Sequence, residues 1–199
     1  MIRAIFLDVD GTLISFSTHE IPASARRALT QAHERGVRLF IATGRAANDL
    51  GPLEGIPYDG VVSLNGARCV ASDGRVVSLH PIPRADFERA LALSEEQGFA
   101  MGLELEEGVF VNRVTPDVER VAHMVAHPVP EQTDLRELFG RVECCQLCFY
   151  FDAETQRRVM AELPTLVASR WCPIFADVNV AGIDKATGME EFMRSYGFS

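Results

Sequence analysis

The chain alternates short apolar runs with polar breaks marked by Gly and Pro, and the spacing of these runs predicts its elements. The first run, residues 2–7, ends in Asp8-Val9-Asp10-Gly11-Thr12. A short apolar run bounded in this way suits a strand buried on both faces, as in a parallel sheet covered by helices. Residues 22–35 place Ala25, Ala28, Leu29 and Ala32 at helical spacing, with Pro22 in the first turn and Gly36 as the stop. Residues 37–42 read as a second buried strand that delivers Thr43-Gly44-Arg45, with a further helix expected to begin near Ala46. Strand, helix, strand implies a parallel, right-handed crossover. A third strand over 60–64 ends in Asn65-Gly66-Ala67, and a small strand pair over 68–71 and 76–79 flanks the turn Ser72-Asp73-Gly74.

His80-Pro81-Ile82-Pro83 is a stiff connection and marks a domain boundary. Beyond it the pattern changes to a helix through Phe87, Leu91 and Leu93 to Gly98, then strands over 99–105 and 109–114 joined by Glu106-Glu107-Gly108. A helix over 116–127, a strand over 143–151, a helix over 152–163 and strands over 165–170 and 174–180 follow. Strands mixed with helices in this order predict an α+β layer with its helices on one face. The chain returns through 179–185 to a last helix with Met189, Phe192, Met193 and Tyr196 on one side.

A length of 199 residues allows one large or two small domains, and 47% hydrophobic with 24% charged residues is ordinary for a soluble globular chain. The net charge of −9 argues against a nucleic-acid or anionic-membrane partner, so an anionic substrate would need a metal or local donors. No apolar run reaches the roughly 18 residues of a spanning helix, and the N-terminus enters a strand at once, so a cytoplasmic location is expected. Cys69, Cys144, Cys145, Cys148 and Cys172 form an odd set that does not suit a disulfide framework. Cys145 and Cys148 have zinc or redox spacing, but no second pair exists and the run continues into Phe149-Tyr150-Phe151, which favours a buried strand with reduced thiols. His33, His123 and His127 are scattered, with no metal-binding pattern.

Alternate residues of a strand share a side, so Asp8 and Asp10 can converge, while Gly11 lets the chain turn and Thr12 offers a hydroxyl. Two close carboxylates repel and need a cation or a shared proton. With Mg²⁺ bound, one can stay ionised as a nucleophile and the other can shuttle a proton. A calcium loop that also begins D-x-D is excluded, because Leu13 and His19 stand where it needs Gly and Glu. A plain solvated turn is the other reading of the same residues. Thr43 can hydrogen-bond a phosphate oxygen and Gly44 lets the backbone approach a ligand. Asn65-Gly66 is a turn that can also face Asn65 toward a substrate.

Asp8-Val9-Asp10-Gly11-Thr12 resembles motif one of the haloacid-dehalogenase superfamily of aspartate-nucleophile phosphohydrolases, and Thr43-Gly44-Arg45 resembles its motif two. Asn65-Gly66 resembles the asparagine-glycine step of the Cof-like subgroup, and Lys185 resembles motif three. The segment 169–188, with Arg170-Trp171-Cys172-Pro173 and Phe175-Ala176-Asp177-Val178, resembles hexose-phosphate phosphatases of that subgroup. The resemblance implies an α/β fold: a Rossmann-like parallel-sheet core over 1–82 and 179–199, with an α+β cap over 83–178 inserted into it. It also implies a Mg²⁺-dependent phosphate-monoester hydrolase in which Asp8 is the nucleophile and Asp10 the general acid and base, both binding the metal. Thr43 and Lys185 would hold phosphoryl oxygens, and Gly11, Thr12, Gly44, Arg45, Asn65 and Gly66 would line the substrate, a hexose phosphate. Glu143, Trp171 and Asp177 are candidates for selecting the sugar.

The family's motif four, G-D-x-x-N-D, which completes the Mg²⁺ site, does not occur in these residues. The core is therefore expected to be incomplete at its C-terminal side, with the first strand left as an open edge through which the chain self-associates. The runner-up reading, from another class, is a noncatalytic or weakly active phosphosugar-binding remnant.

Overall fold

Leu39, Phe40, Ile41 and Ala42 are all fully buried, and this run is the centre of the first of two sheets. The computed structural model describes residues 2–15, 17, 18 and 20–198. It divides into two compact units, Met1–His80 with Ile183–Ser199, and Pro81–Gly182. In chain order the first stretch contributes β1 (Ala4–Leu7), α1 (Ala23–Glu34), β2 (Arg38–Ala42), β3 (Gly60–Ser63), β4 (Arg68–Ala71) and β5 (Val76–Leu79). The second unit holds α2 (Arg84–Gln97), β6 (Ala100–Leu105), β7 (Gly108–Val111), α3 (Pro116–Met124), β8 (Glu131–Gln132), α4 (Leu135–Phe139), β9 (Gln146–Tyr150), α5 (Ala153–Met160), β10 (Leu166–Cys172) and β11 (Phe175–Val180). Helix α6 (Lys185–Ser195) returns to the first unit. Among the described residues no helix is long and apolar enough to cross a membrane.

The first sheet runs in the order β1-β2-β3-β4-β5, parallel from β1 to β3 and antiparallel from β3 to β5. Strand alternation sends Leu39, Ile41 and Val61 to one face, where they pack with Leu29 of α1. Phe40, Ala42 and Val62 point to the other face, where Phe192 of α6 joins them. A helix thus covers each face, as the apolar character of the strands demands. The helix expected near Ala46 does not form. Asn48, Asp49, Gly51 and Pro52 favour turns over helix, and the segment instead makes a turn, Asp49 N–H to Ala46 carbonyl at 3.0 Å, and one 3₁₀ turn over Gly51–Leu53.

The second sheet has the order β10-β11-β9-β6-β7-β8 and is antiparallel except between β7 and β8. One face carries Met101, Leu103, Leu147, Phe149 and Val178 against Phe87 of α2, Leu135 of α4 and Val159 of α5. The helices are not confined to that face. Ala100, Val111, Cys148, Tyr150 and Phe175 make the opposite face apolar too, and Val118 and Val121 of α3 cluster with them. Helix α4 and strand β8 lie in a stretch where short, weakly periodic segments gave no sequence signal. Asp134 caps α4, accepting from the Arg136 and Glu137 amides. All five cysteines are buried as free thiols, and burial pushes the Cys144 thiol up to about 12.

Phe192 anchors α6, with its ring 4.7 Å from that of Phe40. Phe192→Ala is expected to cost about 3–5 kcal/mol of stability, the usual range for a buried Phe truncation. The check is a shift in denaturant midpoint at unchanged slope, and a loss below about 1 kcal/mol would mean that α6 is held elsewhere.

Candidate active site

Strand β1 ends at Leu7, and the next seven residues fold into a turn whose apolar members point down while its polar members stay out. Val9, Leu13 and Ile14 are buried in the cluster on the α1 side. The Leu13 and Ile14 amides donate to the Val9 carbonyl at 3.0 and 2.8 Å, and the Gly11 amide donates to the Ile14 carbonyl at 2.9 Å. Gly11 has φ +77°, which a residue without Cβ adopts at least cost. Asp8, Asp10 and Thr12 are thereby left on one accessible side, with the Thr12 hydroxyl 3.5 Å from Asp8 Oδ2.

Each carboxylate meets its own cation. Lys185 Nζ lies 2.6 Å from Asp8 Oδ1, bridging positions far apart in the chain. Arg45, delivered by the end of β2, donates from Nε to Asp10 Oδ2 at 2.9 Å and from Nη2 to Asp10 Oδ1 at 2.7 Å. The Arg45 hydrogen bonds hold the Asp10 carboxyl below its ordinary value; burial opposes this, and the charges of Arg45 and Lys185 add to the lowering. Arg45 Nη1 in turn donates to Asp49, at 3.0 Å to Oδ2 and 3.3 Å to the backbone carbonyl.

Lys185 is the first residue of α6, and its position is set from below. Asp184 caps the helix, accepting from the Thr187 amide at 2.8 Å and from its hydroxyl at 3.1 Å, bonds that also keep its carboxyl below the ordinary value. Beneath it the end of β3 turns through Leu64 (φ +49°), Asn65 (φ +56°) and Gly66 (φ +100°). A Cβ built on Gly66 would fall 1.9 Å from the Asp184 carbonyl oxygen, so only glycine lets this turn pack under the start of α6. Thr43 is buried, and its hydroxyl accepts from the Arg45 amide at 3.1 Å. Its carbonyl accepts from the Asn65 amide at 3.1 Å, and the Asn65 side chain would sit 3.0 Å from a Cβ on Gly44.

Direct polar contacts thus join Thr12 and Lys185 to Asp8 and Arg45 to Asp10, two groups carried by one turn, with Thr43, Gly44, Asn65 and Gly66 adjoining them. Sequence reasoning missed Asp49 and Asp184. The Asp184 cap carried a signal, an Asp just before a helix with Thr three positions on, whereas Asp49 acts across a turn that no periodicity marks. Glu143, Trp171 and Asp177 all belong to the second unit. Asp177 and Glu104 share the Gln146 amide, whose Nε2 donates to them at 3.2 and 2.6 Å, and the Trp171 ring lies 5.2 Å from that of Phe175.

A family model described as haloacid dehalogenase-like hydrolase matches residues 5–199. The solved structure of BT1666 from Bacteroides thetaiotaomicron, described among phosphatases of the haloalkanoate enzyme superfamily, is 53% identical with a TM-score of 0.95, over 100% of this chain and 74% of that one. The structure of BT4131, described as a subclass IIB sugar phosphatase of the superfamily, is 31% identical with a TM-score of 0.87, over 99% of this chain and 77% of that one. The Bacillus subtilis protein YkrA is 25% identical over 202 residues, covering 98% of this chain and 75% of its own length.

The Gly66 contact yields a test of how Lys185 is placed. Gly66→Ala adds a methyl group against backbone at a positive φ, so the start of α6 must move, and the variant is expected to lose roughly 1–3 kcal/mol of stability. A variant structure should show Lys185 withdrawn from Asp8; an unmoved lysine with unchanged stability would mean that the turn does not position it.

Proposed function

Because the chain belongs to the haloacid dehalogenase-like hydrolase family, we propose that it is a Mg²⁺-dependent phosphatase of sugar phosphates that works through an aspartyl-phosphate on Asp8. The observation that supports this best is the pairing of Asp8 with Lys185 beside an Asp10 of independent orientation. A nucleophilic carboxylate must approach an anionic phosphoryl group, and a cation at 2.6 Å offsets the repulsion. Asp8 attacks phosphorus as the bond from phosphorus to the sugar oxygen breaks, and Asp10 protonates that oxygen. Asp10 then takes a proton from water, whose oxygen displaces Asp8 and releases inorganic phosphate. Thr43, Gly44 and Asn65 would cradle the phosphoryl oxygens, with Gly11 and Thr12 closing the near side.

The donors fit Mg²⁺. Among the described residues no group of three His, Cys, Asp or Glu could hold a metal ion, but Mg²⁺ commonly takes one or two protein oxygens and keeps water and phosphate for the rest. The Asp8 carboxylate and the Asp10 backbone carbonyl would hold it, and when bound it offsets charge on the phosphoryl group. The second unit would exclude water and select the sugar, with Asp177 and Trp171 among the selecting residues. The sugar-phosphatase description of BT4131 is what favours sugar phosphates over other monoesters. Five free, buried thiols suit a reducing cytoplasm.

Phosphate release from a panel of hexose phosphates is the test. Wild type should turn over with Mg²⁺ and stop when it is chelated, Asp8→Asn should fall to background, and Asp177→Asn should reorder the panel without abolishing hydrolysis. Turnover by Asp8→Asn would remove Asp8 as the nucleophile.

Strand β1 pairs only with β2 among the described residues, and Ile2 beside it is exposed. An unpaired apolar edge recruits another chain, so the 199-residue chain is expected to self-associate through β1. Sedimentation should give a dimer or larger species that Ile5→Lys dissociates; a monodisperse wild-type monomer would refute the association.

A further inference from the structure

On the family pattern Arg45 is expected to touch the substrate, yet its donors are spent inside the chain. Nε and Nη2 each donate once to Asp10 and Nη1 donates twice to Asp49, so one, one and two make four of the five guanidinium N–H groups. Two parallel bonds to the two oxygens of one carboxylate fix its rotation as well as its distance, which a point charge cannot do. Asp10 stands on an exposed turn, and among the described residues no other side chain makes a bond of this kind to hold it. We infer that Arg45, itself held by Asp49, is the positioning residue that aims the Asp10 carboxyl, and is not a ligand of the transferring phosphoryl group.

The inference rests on the phosphatase reading and on its two proton transfers. In the first, the Asp10 proton goes to the sugar oxygen as its bond to phosphorus breaks and the Asp8–phosphorus bond forms. In the second, Asp10 regains a proton from water as the water oxygen bonds to phosphorus and the Asp8–phosphorus bond breaks. Each carboxyl oxygen has two lone-pair sites, so an oxygen that accepts from Arg45 can still carry or release the proton. General acid catalysis depends on this aim, and it matters only where the leaving oxygen needs a proton.

That dependence separates an aiming role from a phosphate-binding one. The experiment compares wild type, Arg45→Gln and Asp49→Asn, with Mg²⁺ present, in single turnovers of a hexose 6-phosphate and of 2,4-dinitrophenyl phosphate, whose phenolate leaves unprotonated. Arg45→Gln should slow phosphoryl transfer from the hexose phosphate about 10²- to 10³-fold, while its first release of dinitrophenolate stays within about threefold of wild type. With dinitrophenyl phosphate in excess, that first release should appear as a burst, followed by a slow steady state limited by hydrolysis of the aspartyl-phosphate. Asp49→Asn should give the same pattern more weakly, and guanidinium added to Arg45→Ala should restore hexose-phosphate turnover. Equal slowing of both esters with a raised KM would make Arg45 a phosphoryl ligand and overturn the inference, as would wild-type rates on both. Failure of the wild type itself on both esters would remove the phosphatase reading, and the inference with it.

Discussion

Asp8 and Asp10 leave the end of one strand on the same side, and like charges that close together raise each other's protonation unless something opposes it. The first unit answers with two different cations. Lys185 offers a compact charge to one oxygen of Asp8, leaving the other oxygen toward Thr12. Arg45 takes both oxygens of Asp10 in a planar fork. One cation leaves a carboxylate oxygen free and the other fixes a carboxylate's direction, which are the properties that the proposed nucleophile and the proposed acid would need. Placing them calls on the ends of β1, β2 and β3 and on the start of α6, so much of the first sheet's architecture converges on this pair of charges.

The elements of that architecture were legible where the chain is strongly apolar. Residues 37–42 read as a buried strand because the apolar run is too short for a helix and lies between Gly36 and Gly44, and Leu39, Phe40 and Ile41 are indeed all buried. The stretch after Arg45 was misread as helix because Ala46 and Ala47 look helical, while Asn48, Asp49, Gly51 and Pro52 decide otherwise. In the second unit the buried strand over 143–151 was visible, but Cys148 and Tyr150 do not announce that their face needs a helix of its own, and α3 supplies it. The nearness of Asp8 to Asp10 could be argued from strand geometry alone. The anchoring of Arg45 by Asp49 could not, because it depends on a turn whose path tertiary packing sets.

The second unit handles a pair of carboxylates differently. Glu104 and Asp177 lie on strands either side of β9, and the fully buried Gln146 amide donates to both. A neutral donor shared between two acids satisfies one hydrogen bond on each without adding a charge of its own.

The contact between Lys185 and Asp8 joins positions 177 residues apart. A ribosome adds about 5–20 residues per second, so roughly 10–35 seconds separate the appearance of the carboxylate from that of its ammonium. Through that interval the nascent chain holds the strand end, and Arg45 soon after it, but not the charge that partners Asp8. The whole of the second unit is translated in the gap. The Asp8–Lys185 contact is therefore completed only after the whole second unit has been translated, and a chain halted within the second unit carries both acids without the lysine.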